Sequence, residues 1–212
     1  MDTIQKTNEA LRKKAKIILL IISFAQFIIA LDYSIVYIAL PSIAESFELS
    51  PAIGQWIVTS YGLLFAGFLL LGGRLSDSYG DGKVFIASTA VFGTASLLGG
   101  LSYNAELLLL SRGIQGLSAA AMQPAIISLI SSHFKEGNER AKALSTWGAV
   151  GASGLVMGVV FGGIFTEFSW RIIFLINVPL VAICILLGKK YLKNYSIEKQ
   201  SSIPIFSSII GT

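Results

Sequence analysis

Charge, cysteine and histidine are all scarce in this 212-residue chain, and each shortage closes off a class of function. Only 13% of the residues are Asp, Glu, Lys or Arg, where soluble domains carry about 25%. A single cysteine, Cys184, lies inside an apolar run, so no disulfide framework exists. One histidine, His133, with no Cys/His cluster around it in sequence, argues against a zinc or haem site. No nucleophile–base set and no phosphate-binding loop appears, so the chain does not read as an enzyme. No periodic strand pattern appears either. The net charge of +4 does not point to nucleic acid, because the basic residues sit at the ends of apolar segments.

What the chain has in abundance is apolar sequence: 54% of its residues are hydrophobic. A membrane span needs about 20 mainly apolar residues. Six stretches qualify: Ile17–Leu40, Ala52–Leu71, Val84–Leu101, Ala105–Ile130, Ala143–Phe165 and Arg171–Gly188. The first is too long for a signal-peptide core and no cleavage site follows it, so it reads as a retained span. Only helices and closed barrels satisfy their backbone in lipid, and runs of this length read as helices. The expected fold class is therefore an all-α, polytopic membrane protein. Residues 1–16 form a basic N-terminus, 17–188 a six-span bundle, 189–202 a linker and 203–212 the start of a seventh apolar segment.

Orientation follows from lysine and arginine placement. Lys6, Arg12, Lys13, Lys14 and Lys16 precede span one. Arg74 and Lys83 lie between spans two and three, and Lys135, Arg140 and Lys142 between spans four and five. Lys189, Lys190, Lys193 and Lys199 follow span six, while the alternate connections hold only Arg171. This bias places the N-terminus and the turn Gly72–Phe85 on the cytoplasmic side of a plasma membrane.

Two charges fall inside spans, Asp32 and Arg112. Ionisable groups at membrane depth face a cavity or a partner and mark substrate or proton paths. Two bland readings stand beside this one: Asp32 capping or hydrating near the outer interface, and Arg112 snorkelling to the surface. Gly113, Gly116, Ala119 and Ala120 would let a neighbouring helix approach span four closely. Gly154, Gly158 and Gly162 recur every four residues and line one face of span five.

Several runs resemble the major facilitator superfamily, and within it the 14-span drug:proton antiporters. "LDYSIVYIALP" (Leu31–Pro41) looks like that group's first-span signature, and "GRLSDSYGDGK" (Gly73–Lys83) is similar to its cytoplasmic loop motif. "RGIQG" (Arg112–Gly116) matches the fourth-span motif and "WRIIFLINVP" (Trp170–Pro179) the start of the sixth. Gln55–Trp56 and Glu139–Arg140 also fall where the family has them.

The resemblance implies the first six-helix bundle of a facilitator fold, two inverted three-span repeats that rock against a second bundle. It implies proton-coupled export of small amphipathic or cationic compounds, driven by the proton gradient without a cofactor. Uptake or exchange of another solute is the alternative on the same fold. Asp32, Arg112 and Gln115 would line the proton and substrate pathway, with Asp32 in the cavity. Gly73, Arg74, Asp77, Gly80, Lys83 and Arg140 would form the cytoplasmic gate. Gly154, Gly158, Gly162 and Gly163 would pack the fifth helix. The lipid bilayer, protons, a small-molecule substrate and a missing C-terminal bundle or second chain are the implied partners. With its apolar tail unfinished, the chain also reads as a truncated transporter, a fragment or an assembly subunit.

Departures from the family pattern are confined to two places. Ser78, Asp81 and Gly82 stand where the loop motif has basic residues, and Ser145 and Val159 replace a glycine and a proline in span five.

Overall fold

The computed structural model describes residues 2–192, all in helices and short connections. The elements are α1 (Asp2–Ser46), α2 (Pro51–Tyr79), α3 (Asp81–Gly100), α4 (Ala105–His133), α5 (Asn138–Phe168), α6 (Ile172–Leu175) and α7 (Asn177–Tyr191). The seventh apolar segment at Ile203–Thr212 lies outside the described residues. Among the described residues six spans emerge by length and composition, with α6 and α7 together forming the sixth.

The boundaries differ from the apolar runs for local reasons. Helix α1 does not stop at Pro41 but runs on to Ser46. At its other end it takes in the basic N-terminus, so its 45 residues reach about 68 Å. Such a helix is about twice as long as the ~30 Å hydrocarbon core. Helix α2 starts on a Ser50 cap whose Oγ accepts the Ile53 amide, with Pro51 in the first turn. Asn104 caps α4 in the same way, its Oδ1 accepting the Leu107 amide at 2.9 Å.

The polar segment Gly72–Phe85 reads as a flexible turn but is almost wholly helical. Helix α2 continues through Arg74 and Asp77 to Tyr79, and α3 begins at Asp81. The reversal is left to Gly80 alone, at φ 89° and ψ 137°. A side chain is disfavoured there, which is why the reversal sits on a glycine.

Packing follows small residues. Helix α1 lies mainly against α5, α2 against α4, and α3 against both α4 and α7. Exchanging helices one and two with four and five maps the first pairing onto the second, as a twofold relation between three-helix repeats requires. A Cβ on Gly116 would collide with the Tyr61 carbonyl, and one on Gly72 with the Ala120 carbonyl, so the α2–α4 backbones nearly touch. This is the close approach that Gly113, Gly116, Ala119 and Ala120 suggest. On α5, Gly154 faces Phe27, Gly158 faces Leu31 and Ser34, and Gly162 faces Ile38. Gly163 departs from the expectation: nothing lies within 4 Å of its Cβ position, so it packs no helix among the described residues. One residue along an α-helix turns the side chain by about 100°, which carries Gly163 off the face that Gly162 occupies.

Large side chains also lie outward: Leu70 is 87% exposed, Leu186 69% and Leu20 67%. An apolar surface of this kind marks contact with lipid or with another protein.

Candidate proton-coupling site

Two apolar clusters fill the interior. One is built on Ile18, Ile22, Phe85, Phe92 and Ile126. The other contains Leu31, Ile35, Leu108, Trp170 and Phe174. Between them lies a polar layer in which Asp32, Ser96, Arg112, Gln115 and Asn177 are all 0% exposed.

Arg112 Nη1 donates to Asp32 Oδ2 at 2.6 Å and to Gln115 Oε1 at 2.7 Å, and its Nε donates to the Ile57 carbonyl at 3.2 Å. The guanidinium carbon sits 4.5 Å from the centre of the Tyr61 ring, adding a cation–π contact. The other carboxylate oxygen, Asp32 Oδ1, accepts from two neutral amides: Gln115 Nε2 at 2.9 Å and Asn177 Nδ2 at 2.7 Å. Gln115 Nε2 also donates to Ser96 Oγ at 2.9 Å. Helices α4 and α7 thus meet the carboxylate of α1, and α3 joins through Gln115.

This geometry removes both bland readings. Asp32 is fully buried and bonded to side chains of α4 and α7, so it neither caps a helix end nor meets water. Arg112 turns inward and does not snorkel. The two charges pair across helices, a contact that the expectation for each left open. One part of the expectation is corrected: Asp32 does not line a cavity. A recess of about 560 Å³ opens between α1, α2 and α5, lined by Gln26, Tyr33, Tyr61, Phe65, Gly151 and Leu155 among others. Ala30 and Tyr33 face it, while Asp32 between them points back into the bundle. The helical period forces this, because successive side chains diverge by about 100°.

Asn177 was not singled out from the sequence. The available signal was an amide inside a 20-residue apolar span, at the junction of α6 and α7. A second amide pair, Gln123 Nε2 to Gln26 Oε1 at 2.7 Å, ties α4 to α1 beside the recess.

The residues expected to form a gate gather at the α2–α3 reversal, except Arg140. Gly73 and Gly80 are half-buried, and Arg74, Asp77 and Lys83 are exposed. Arg140 caps the end of α4, donating to the Ser131 carbonyl at 3.0 Å and the Phe134 carbonyl at 3.4 Å.

Two of the departures from the loop motif, Asp81 and Gly82, have a structural cause, while nothing in the structure explains the exposed Ser78. Asp81 is buried, and its two oxygens accept the hydroxyls of Ser76 at 2.5 Å and Ser128 at 2.6 Å. Its place in the first turn of α3 also suits a negative charge to the helix dipole. At Gly82, a Cβ would stand 2.5 Å from the Leu192 carbonyl oxygen at the end of α7, leaving no room for a basic side chain.

Comparison with known proteins agrees with this architecture. The Major Facilitator Superfamily profile matches residues 22–207. The puromycin resistance protein pur8 of Streptomyces alboniger is 42% identical over 175 residues, 82% of this chain and 35% of that protein. The cephamycin export protein CmcT of Amycolatopsis lactamdurans is 43% identical over 157 residues, covering 74% of this chain and 32% of that protein. The chain thus spans about a third of the length of these curated relatives. Among solved structures, the peptide transporter POT superposes with a TM-score of 0.73 at 15% identity, over 81% of this chain and 37% of its own. With most of its length matched by the family profile, this chain belongs to the major facilitator superfamily of membrane transporters.

Proposed function

We propose that the chain supplies one six-helix half of a proton-coupled exporter of small amphipathic or cationic compounds. A second six-helix bundle completes it, supplied by further sequence or by another chain. The basic ends of the helices face the cytoplasm of a plasma membrane, following the lysine and arginine bias. Asp32 is the proton-carrying group. Arg112 is a fixed positive charge that pairs with the carboxylate until a proton or substrate competes, and Gln115 orients both. The segment Gly73–Lys83 lies where the second bundle docks during gating.

The single observation behind this reading is the enclosed Asp32–Arg112 pair, held by Gln115 and Asn177. Replacing a buried ion pair by apolar residues is often neutral or stabilising, so stability alone is a weak reason to keep one. A carboxylate at mid-depth that alternates between paired and protonated states gives such a pair a use. The names of pur8 and CmcT, a resistance protein and an export protein, point the same way.

Inverted vesicles containing the complete transporter test this. Energising them acid-inside should drive ethidium accumulation that collapses when the pH gradient is dissipated. Accumulation only with the opposite gradient would mean uptake in the cell, the alternative on the same fold.

A further inference from the structure

Asp32 and its partners leave an asymmetry that the pairing with Arg112 does not use. Arg112 holds Oδ2, so Oδ1 is the oxygen free to take a proton. Among the described residues its hydrogen bonds come from the two neutral amides alone. A proton on Oδ1 makes it a donor facing two donors, and one amide must present its carbonyl instead.

The two amides are not equivalent. Gln115 is committed at both ends, its Oε1 accepting from Arg112 and its Nε2 donating to Ser96 and Asp32. Turning it would set its NH2 against the guanidinium. Asn177 is fully buried, and its Oδ1 has no hydrogen-bond partner. Rotation of its amide by half a turn breaks no other bond to Oδ1 and brings that acceptor to Asp32. A buried orphan acceptor is costly and calls for a reason.

We propose that the Asn177 side chain registers the protonation of Asp32, donating to the carboxylate and turning to accept from the carboxylic acid. Asn177 is then a positioning residue, and this role rests on the proposal that Asp32 carries the coupled proton. Asn177 stands at the α6–α7 junction, where Ile176 keeps helical dihedrals and its amide bonds the Ile172 carbonyl. The segment before it is anchored elsewhere: Arg171 Nη2 donates to the Ser102 carbonyl at 3.0 Å, and its guanidinium lies 4.2 Å from the centre of the Trp170 ring. Other groups facing Asp32 do not compete. Tyr61 from α2 stacks on Arg112, Ser96 from α3 bonds Gln115, and α5 turns glycines towards α1.

The test uses the complete transporter in proteoliposomes, with infrared difference spectra and two flux assays. Acid-minus-alkaline spectra of the wild type should show a carboxyl band and a paired shift of a side-chain amide band. Asp32→Asn should remove the carboxyl band and the amide shift together, and Asn177→Leu the amide shift alone. Asn177→Leu should lower proton flux per ethidium moved by about tenfold, the scale of losing a hydrogen bond to a charged group. Ethidium counterflow, which needs no net proton movement, should change little. Asn177→Gln, a longer amide that still donates and accepts, should keep more of the coupling than Asn177→Leu. An amide shift that survives Asn177→Leu overturns the proposal, as does a parallel loss of counterflow and coupling in both variants. If Asp32→Asn leaves the carboxyl band in place, the proton-carrier reading fails first and this one falls with it.

Discussion

Replacing Arg112 with methionine isolates the interaction on which the polar layer depends. The guanidinium makes one ion pair at 2.6 Å, two further hydrogen bonds and a cation–π contact, all inside the protein. Removing one partner of a buried pair costs about 3–5 kcal/mol, because the remaining charge has no water to turn to. Asp32 would keep its two amide donors, and methionine would recover the packing of the arginine stem. These place the loss at the lower end, about 3 kcal/mol. Asp32→Asn alone strands the arginine and should cost a similar amount. The double variant buries no net charge and should fall within about 1 kcal/mol of the wild type. The cycle then gives a coupling of about 5 kcal/mol, above the usual limit of about 3 kcal/mol for contacting residues. Steric-trap unfolding in bicelles measures each free energy directly. Additive losses, or a single-variant cost below about 1 kcal/mol, would refute the reading of two buried charges that balance each other.

Two further predictions concern packing. Gly158→Val should weaken the α1–α5 interface by about 1–3 kcal/mol or more, because its side chain enters the backbone of Leu31. Gly163→Ala should be neutral or slightly stabilising by the same unfolding measurement, since its Cβ meets nothing and alanine favours the helix. Installing arginine at the three unusual loop positions should separate them. Ser78→Arg is exposed and tolerated, while Asp81→Arg buries a cation in place of a hydrogen-bonded carboxylate and Gly82→Arg collides with Leu192. Thermal stability of the three purified variants checks this, and equal midpoints would contradict it.

The sequence made the helices legible because each apolar run satisfies one requirement, internal pairing of the backbone in lipid. It made their ends less so. Pro41 reads as a stop yet lies inside α1, and the glycines and charges of Gly72–Phe85 read as a turn yet continue α2. In both cases local propensity is weaker than continuous helical hydrogen bonding. At the site, Asp32 and Arg112 stand out because charge inside a span is rare, and Gln115 follows at one helical turn from Arg112. Their pairing does not follow from sequence, because nothing in a linear pattern fixes the rotation of α1 against α4. Asn177 escapes for the same reason. An amide in an apolar run is unremarkable until the packing of α7 aims it at a carboxylate.

Asp32 is proposed as the group that carries the coupled proton. Proton flux measured with a pH-sensitive dye trapped in proteoliposomes, for the wild type and Asp32→Asn of the complete transporter, tests it most directly. The account predicts that ethidium addition drives proton movement in the wild type and none in Asp32→Asn, while ethidium counterflow survives the substitution. Undiminished proton movement in Asp32→Asn would contradict it.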